Sequence, residues 1–366
     1  MGDAIYLRRN IDRQWNGVAV DMQKISSVVI SSANLDEYEQ QLSEFLARQS
    51  DLHFYQTLDW YRCAYGVHDL FFIITKSDDK ILASSLVRRK RIPVLGRAVY
   101  KIERGPVLES GSVLEIHLNN VLEKLQTDAL FIAISPYQYG DALPDYQETL
   151  SRSGWRPSPR ILAPYNSTIV IDLSTDIVQL RAGLRRSLKT QLNRGPRLGV
   201  EVRRAGSAEE FSKFIAQHNE MAQRRSLAPI QKEVAGGMSK LYQEPAGSVQ
   251  LFVAYYEGEQ VAGICLLGAG NRVVYEWGVS SEAESHRQLP LTHMLHWSAI
   301  QWAKQAGYTY YDFGGYWEER GDSDPINRFK TGFSKEKQHF VSEYIFGVRP
   351  LLTKMYQTAA RLRAGA

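Results

Sequence analysis

The sequence comprises 366 residues, of which 44% are hydrophobic and 11% aromatic, so the chain can bury two sizeable cores and we expect two domains. A formal net charge of +4 permits a polyanionic partner but does not demand one. The two cysteines, Cys63 and Cys265, lie far apart and lack metal spacing, which argues against a disulfide framework. No run is long enough for a transmembrane helix, and residues 1–30 lack the apolar core of a signal peptide. We therefore expect a cytoplasmic protein without an integral membrane segment.

The first part of the chain predicts an order of elements typical of a mixed α/β domain. After a leader over residues 1–25, the predicted elements are a strand from Ile25, a helix over 35–46, a helix with Thr57 as N-cap, strands over 70–75 and 81–89, a broken strand over 101–108, a helix over 113–125, a strand over 129–134 and a helix over 146–154. The basic run at 88–91 ends a hairpin strand, and both a solvated strand end and a phosphate contact stay open for it. We place the end of this unit near Arg160.

The second part opens with a predicted strand over 167–173, and Ser174 is the expected cap of a helix with an unusual charge pattern. Between residues 181 and 204 the chain carries eight cations against the single acid Glu201. A spacing of four predicts that the cations at 181, 185 and 189 share one helical face, while leucines at 180, 184, 188 and 192 form an apolar stripe. Both a solvated face and a contact with phosphate or nucleic acid stay open. The candidate residues for binding a nucleic acid, which would be tRNA if the family resemblance given below holds, are Arg181, Arg185, Arg186, Lys189 and Arg194.

Further along, Ser207 and Glu210 form a predicted capping box at the start of a helix that runs past Met221. His218 in this helix is expected to be a core or edge histidine. Glycines at 236, 237 and 247 predict a loop. Strands are then predicted over 249–256, 260–267 and 271–279.

Residues 290–333 predict a helix, a strand, a glycine turn and a loop. Pro290 suits the start of the helix, and Gly307 supplies its C-terminal stop. A strand over 308–313 precedes Gly314 and Gly315, which allow a sharp turn. The loop that follows delivers residues 329, 330 and 333 to the end of that strand.

The order of strands and helices in the second unit resembles the GCN5-related N-acyltransferase fold, and residues 26–150 give a shorter version of the same order. The predicted fold class is α/β with mixed sheets, in two such domains side by side: domain 1 at 26–160, with a C-terminal helix at 345–366 returning to it, and domain 2 at 161–344. In that fold the pyrophosphate of an acyl-CoA donor binds backbone N–H groups at a helix N-terminus. Residues 285–292 lack glycine there and include Pro290, so acetyl-CoA is a poor fit.

The chain also resembles the FemABX family of aminoacyl-tRNA-dependent peptidyl transferases, which contain two acyltransferase-like domains. The motifs that carry this resemblance are QTLDW at 56–60, RGPV at 104–107, STIVIDLS at 167–174 with the basic helix after it, AQR at 222–224, QWA at 301–303, YDFGG at 311–315 and FK at 329–330. Together they cover nearly the whole chain after residue 30. The resemblance implies transfer of an amino acid from aminoacyl-tRNA to an amine of a peptide, such as a peptidoglycan precursor.

The resemblance implies that Lys330 contacts the tRNA 3′ end and steadies developing negative charge, with Phe329 packed beside it. An aminoacyl ester is already activated, so the enzyme has to position a neutral amine and stabilise an oxyanion, without a metal, a cofactor or a covalent nucleophile. Asp312, Glu318 and Glu319 are the nearest carboxylates in sequence for accepting a proton. Asp312 could instead only anchor the loop.

The acceptor site departs from the family pattern. Relatives that use the soluble nucleotide precursor carry charged and tyrosine side chains where this chain has Ser135, Ala228 and Trp277. A lipid-linked precursor, a different peptide and an amine metabolite therefore stay open as acceptors. The candidate acceptor-binding residues are Arg62, Arg104, Arg224, Arg225, Tyr275 and Trp277.

Two other classes of function remain open from the sequence. An acyl-CoA-dependent N-acyltransferase follows from the order of elements alone, and an RNA-binding module without catalysis follows from the cation cluster. The sequence does not determine the amino acid transferred or the oligomeric state, and a monomer is compatible with it.

Overall fold

The computed structural model describes residues 24–158, 165–243 and 247–364. All but the last two residues of the predicted leader lie outside these ranges, and so does Arg160, where the first unit is predicted to end. The predicted domain boundaries therefore stay predictions. The strands, numbered in chain order, are β1 (Ile25–Ile30), β2 (Asp69–Ser77), β3 (Lys80–Ile92), β4 (Arg97–Glu103), β5 (Val107–Leu108), β6 (Ala129–Ser135), β7 (Arg156–Pro157), β8 (Ser167–Asp172), β9 (Glu201–Arg204), β10 (Val249–Tyr256), β11 (Glu259–Ala269), β12 (Arg272–Ser280), β13 (Tyr310–Asp312), β14 (Lys337–His339) and β15 (Tyr344–Phe346).

Helices cover the faces of the sheets that these strands form. The α-helices are α1 (Leu35–Ala47), α2 (Leu58–Ala64), α3 (Leu114–Leu125), α4 (Leu143–Arg152), α5 (Ile177–Gly183), α6 (Arg186–Arg194), α7 (Ala208–Arg224), α8 (Lys232–Gln243), α9 (Leu291–Gln305), α10 (Pro325–Lys330) and α11 (Pro350–Ala364). Within the described ranges, none of these helices is both long and apolar enough to cross a membrane.

Two mixed sheets share one strand pattern. The first has the order β1-β2-β3-β4-β6-β15-β7, with β5 attached to β3, and the second has the order β9-β10-β11-β12-β13-β8-β14. In each, four antiparallel strands are followed by a parallel pair, β4 with β6 and β12 with β13, and then by two antiparallel strands. A helix, α3 or α9, links the two strands of each parallel pair. The predicted class, two acyltransferase-like α/β units, is confirmed.

Several local signals in the sequence are confirmed in the structure. The Thr57 hydroxyl caps α2 by accepting the Trp60 N–H at 3.1 Å, and Ser207 with Glu210 forms the capping box of α7. Gly307 adopts φ 87° just after α9, as a C-terminal stop requires. These features could be predicted from the sequence because each depends only on residues within one turn of the helix end.

The predicted continuous basic helix is wrong. The chain forms α5 and α6 with Leu184 and Arg185 between them in extended conformation, so the cations at 181, 185 and 189 do not share one helical face. Leu184 is buried in the second core, and the Arg185 N–H donates to the Gly332 carbonyl at 3.0 Å. These tertiary contacts replace the helical hydrogen bonds. The predicted cap Ser174 is also wrong, because Asp176 caps α5.

Gly236 and Gly237 lie inside α8, where the sequence predicts a loop. A Cβ atom on Gly237 would lie 2.6 Å from the Cα of Cys63, so glycine is needed for α8 to pack directly against α2. This contact joins the two units. A second joining contact is the hydrogen bond from the Asn271 N–H to the Ser50 carbonyl, 2.9 Å long.

Candidate functional site

The parallel strands β12 and β13 separate after a short paired stretch. Arg272 to Val274 pair with β13, which ends at Asp312, whereas β12 continues to Ser280 with β11 as its strand neighbour on the other side. Backbone polar groups on the freed edge of β12 therefore have no strand partner and face a cleft. Gly314 adopts φ 59° at the end of β13, and a Cβ there would lie 2.6 Å from the Tyr275 carbonyl oxygen. Glycine is needed for this close approach.

Lys330 lies beside the glycine turn that follows β13, where the two strands separate. It is the last residue of α10, a helix that Asp324 caps by accepting the N–H groups of Ile326 and Asn327. The lysine is only 5% exposed, and its Nζ donates to the carbonyl of Gly314 and, at 2.5 Å, to that of Gly315. Burial lowers its pKa to about 8, against opposing contributions from Asp312 and Asp324. Lys330 is therefore a buried ammonium held by backbone dipoles.

Aromatic rings and a neutral histidine enclose Lys330. Phe329 packs against His296 and Phe333, at ring-centroid distances of 5.3 Å each. His296 is fully buried; its Nδ1 lies 2.7 Å from the Tyr311 hydroxyl, and within the described chain its Nε2 has no hydrogen-bond partner. Burial, and then the charge of Lys330, holds the pKa of His296 well below its usual value. A neutral imidazole here adds no positive charge beside the ammonium.

Asp312 is buried in a network of contacts. Its Oδ1 accepts from the Thr168 hydroxyl at 2.5 Å and from the Gly314 N–H at 2.8 Å, and its Oδ2 accepts from Arg272 at 3.0 Å. Both oxygens of the Asp312 carboxylate are thus held by hydrogen bonds from other groups of the protein. These contacts favour the anchoring role over the catalytic one, although the predicted proton transfer stays untested.

Glu276 is a carboxylate that the sequence reading missed. It is the extra residue of a β-bulge in β12, because Tyr275 pairs with Leu266 and Trp277 with Cys265. The half-buried side chain accepts the Tyr55 hydroxyl at 2.5 Å across the gap between the two units. Burial raises its pKa. The sequence offers one signal for Glu276, which is a single acid among the mostly apolar residues of β12. Its partner Tyr55 cannot be recognised from the sequence, because it lies 221 positions away.

Arg104 enters the same region from the first unit. It follows β4 with φ 57°, and its side chain is buried. The guanidinium lies 4.6 Å from the centroid of the Tyr165 ring, 5.2 Å from that of Phe340 and 5.9 Å from that of Tyr137. A cation stacked on aromatic rings keeps its charge without neutralisation by a carboxylate. Asp312 lies close enough to Lys330, Arg104 and Glu276 to shift the pKa of each, so these three groups border one region between the two units.

Comparison with known proteins agrees with this geometry. Residues 182–331 match the family described as "Acetyltransferase (GNAT) domain". UDP-N-acetylmuramoylpentapeptide-lysine N(6)-alanyltransferase of Weissella viridescens is 28% identical over 148 residues, which are 40% of this chain and 42% of that protein. The crystal structure of FemX superposes with a TM-score of 0.74 at 16% identity, covering 86% of this chain and 97% of FemX. These matches support the resemblance of the chain to the FemABX family.

At these identities, FemX and more distant solved structures share only the fold with this chain. L-PGS from Bacillus licheniformis superposes with a TM-score of 0.54 at 16% identity, covering 89% of this chain and 97% of that one. The tandem GNAT protein from the clavulanic acid biosynthesis pathway gives a TM-score of 0.51 at 12% identity, covering 88% of this chain and 98% of that one. The fold therefore does not by itself define an activity.

The predicted acceptor-binding residues do not all lie at the cleft. Tyr275 lies there, with its ring 4.6 Å from that of His296, and Trp277 follows Glu276 on β12. Arg62 instead forms exposed ion pairs with Glu39 and Asp59 on the outside of α2. Arg224 and Arg225 both pair with Glu282. Tyr275 and Trp277 pack against different core clusters, Arg104 is buried beside the Tyr165 ring, and the other three arginines lie in surface ion pairs.

The predicted tRNA-binding cations line α5 and α6 beside α10. Arg185 joins these elements, since its guanidinium donates to the Arg328 carbonyl at 2.7 Å and to the Thr331 hydroxyl at 3.2 Å. Arg181 lies over the Trp297 ring, and Lys189 donates to the Ala182 carbonyl. Within the ranges that the structure covers, none of the five predicted cations forms an ion pair with a carboxylate. In the described part of the chain, no group of three or more His, Cys, Asp or Glu side chains is placed to hold a metal ion.

Proposed function

We propose that the protein transfers an amino acid from aminoacyl-tRNA to an amine of a peptide acceptor, either a peptidoglycan precursor or a related peptide or amine metabolite. The observation that carries this proposal is the buried Lys330 ammonium at the end of the separated strands β12 and β13. The alanyltransferase relative supports the type of reaction. Because the chain spans only 42% of that relative's length, its substrates are proposed here for this chain.

The basic segments α5 and α6 would bind the tRNA. Their cations are not neutralised by neighbouring acids, and phosphate oxygens are the groups such cations bind. The hydrogen bonds of Arg185 to α10 fix this basic surface relative to Lys330. A tRNA bound along α5 and α6 can therefore present its 3′ end to the cleft.

The transfer step needs only groups already present at the cleft. The acceptor amine attacks the ester carbonyl carbon, a C–N bond forms, and the bond from that carbon to the ribose oxygen breaks. The Lys330 ammonium stabilises the negative charge that develops on the carbonyl oxygen. The Glu276 carboxylate takes the proton that the amine loses and returns it to the departing ribose oxygen. Tyr55 holds Glu276 in place through its hydroxyl.

A second candidate is acyl transfer from CoA, which the match to the acetyltransferase domain family favours. The structure offers a poor pyrophosphate cradle before α9, however. The N–H groups of His286, Arg287 and Leu289 already donate to carbonyls within the same turn, and Pro290 has no N–H. The aminoacyl-tRNA donor therefore remains the better proposal.

The proposal is tested by transfer of a labelled amino acid from bulk charged tRNA to peptide acceptors. We expect Lys330→Met to lower transfer by at least about 100-fold, because a preorganised cation at the oxyanion is lost. Lys335→Met is the matched control, since that lysine is exposed on the neighbouring loop, and it should transfer normally. Transfer that continues after ribonuclease treatment of the donor would exclude the tRNA, and saturable use of acyl-CoA would support the second candidate.

A further inference from the structure

The first unit carries a patch of exposed aliphatic side chains far from the cleft. Val94 is 95% exposed, Leu351 81% and Met355 68%, and Leu95 and Leu352 beside them are also exposed. We call these five residues the aliphatic patch. They make up half of the large apolar side chains that are exposed in the described chain. Clustered exposure of this kind marks an interaction surface, whereas single exposed residues do not.

The two segments of the aliphatic patch lie side by side. Ile92, which precedes the β3–β4 turn, and Tyr356 of α11 pack against the same buried cluster, which includes Val99, Leu130 and Phe131. The Arg349 N–H donates to the Leu130 carbonyl at 3.1 Å, which holds the start of α11 over β6. The β3–β4 turn and the outer side of α11 therefore form one surface.

Four cations without an ion pair in the described chain border the aliphatic patch, whereas Arg89 and Arg91 at the end of β3 pair with Asp69. In the register of β3 and β4, Lys90 lies opposite Val99, and Ile92 lies opposite Arg97. Side chains at alternate positions share a sheet face, so Lys90 and Arg97 lie on the same face as Val99. This is the face that α11 covers. Arg349 and Lys354 add two exposed cations. The sequences at 88–99 and 349–364 contain no Asp or Glu. The surface is thus aliphatic at its centre and purely basic in its own two segments.

We propose that the aliphatic patch docks the protein on the surface of an anionic phospholipid bilayer. Aliphatic side chains would enter the boundary between headgroups and acyl chains, and the surrounding cations would lie at lipid phosphates. Charge argues for this occupant over a second copy of the chain. In a two-fold dimer through this patch, identical basic segments would face each other and repel.

The aliphatic patch lies at the opposite end of β4 from the cleft. Arg104 follows Arg97 by seven positions along β4. At about 3.3 Å per position in a strand, the aliphatic patch and the cleft are roughly 23 Å apart. Docking through the patch leaves the cleft open. The proposal does not depend on the donor or acceptor of the transfer reaction, and changes in the patch should leave transfer to a soluble acceptor unaltered.

The first test is co-sedimentation of the full chain with vesicles that contain phosphatidylglycerol and phosphatidylcholine, compared with phosphatidylcholine alone. We expect binding to the anionic vesicles only, and at least about tenfold weaker binding for Leu351→Ser/Met355→Ser, because two apolar side chains no longer insert. Val178→Ser is the matched control, since Val178 is 72% exposed elsewhere. Lys354→Gln should weaken binding about fivefold, whereas Lys240→Gln, an exposed lysine on α8, should not.

The second test reports where the patch goes when the protein binds. Both native cysteines are buried, so Leu351→Cys can be labelled selectively with an environment-sensitive fluorophore. Its emission should shift to the blue on anionic vesicles, and a label on Val178→Cys should not shift. No binding of the wild type to anionic vesicles at low salt would overturn the proposal. The proposal would also be overturned if the double serine variant bound the vesicles as well as the wild type does. It would equally be overturned if the wild type formed an oligomer that this variant dissociates and neither protein bound vesicles.

Discussion

The two units have the same strand order but differ at their parallel strand pair. In the first, β4 and β6 stay paired from Ala98 to Glu103, so the sheet is closed along the whole of β4. In the second, β12 and β13 pair only from Arg272 to Val274, and the rest of β12 borders the cleft. One arrangement of strands therefore gives a closed sheet in one unit and an open site in the other.

The closed unit contributes to the site from its loops. Tyr55, from the turn before α2, reaches Glu276 across the gap, and Arg104 follows the end of β4. The open unit supplies the backbone edge, Lys330 and the basic segments α5 and α6. We therefore propose that the closed unit helps to position the acceptor, while the open unit binds the donor and carries the reacting groups.

The largest expected effect concerns Glu276. Glu276→Gln should lower amino acid transfer by about 100-fold or more while leaving the affinity for charged tRNA unchanged, because only proton transfer is lost. Glu103→Gln is the control in the closed unit, at the matching strand end, and should transfer at the wild-type rate. Equal losses in both variants would mean that the open and closed strand ends do not differ in function.

The next effect is the pH dependence of stability due to Lys330. Its folded-state pKa of about 8 lies below the usual 10.5, so between these values the unfolded chain binds more protons. The free energy of unfolding should therefore rise with pH across this window, by up to about 3 kcal/mol relative to Lys330→Met. Denaturant titrations of both proteins at several pH values measure the difference. Parallel curves would show that the ammonium is not buried.

A smaller effect is expected at the glycine turn that holds the site open. Gly314→Ala places a methyl group against the Tyr275 carbonyl in addition to a positive φ, whereas Gly96→Ala, in the left-handed region at φ 58°, meets no atom within 4 Å. We expect Gly314→Ala to lower the free energy of unfolding by about 1–2 kcal/mol more than Gly96→Ala does. Urea unfolding compares the two. An equal cost would mean that backbone conformation alone requires glycine at 314.

The smallest effect concerns donor binding. Arg186→Gln/Arg194→Gln should weaken tRNA binding several-fold and reduce the slope of log affinity against log salt by about two, since two phosphate contacts are lost. Arg152→Gln, an arginine of the closed unit paired with Glu115, serves as the control. A titration over a salt series measures both. An unchanged slope would place the tRNA away from α6.

Only part of the site could be predicted from the sequence. Phe329 and Lys330 could be predicted as site residues because they lie in the segment that follows a glycine turn and match a family motif. Glu276 could not be predicted, because a bulge has no reliable sequence signal and Tyr55 lies 221 positions away. The sequence is compatible with two roles for Asp312, because the buried Arg272 and Thr168 contacts, which favour anchoring, come from other strands.

The sequence by itself determined most of the longer strands and helices, the capping of α2 and α7, and the concentration of positive charge before residue 204. These features depend on periodicity and on residues within one helical turn. The tertiary structure alone decided that the basic helix breaks at Leu184, that Gly236 and Gly237 continue a helix, and that one parallel pair opens while the other stays closed. Each of these depends on contacts between distant segments, whose burial and hydrogen bonding outweigh local preference.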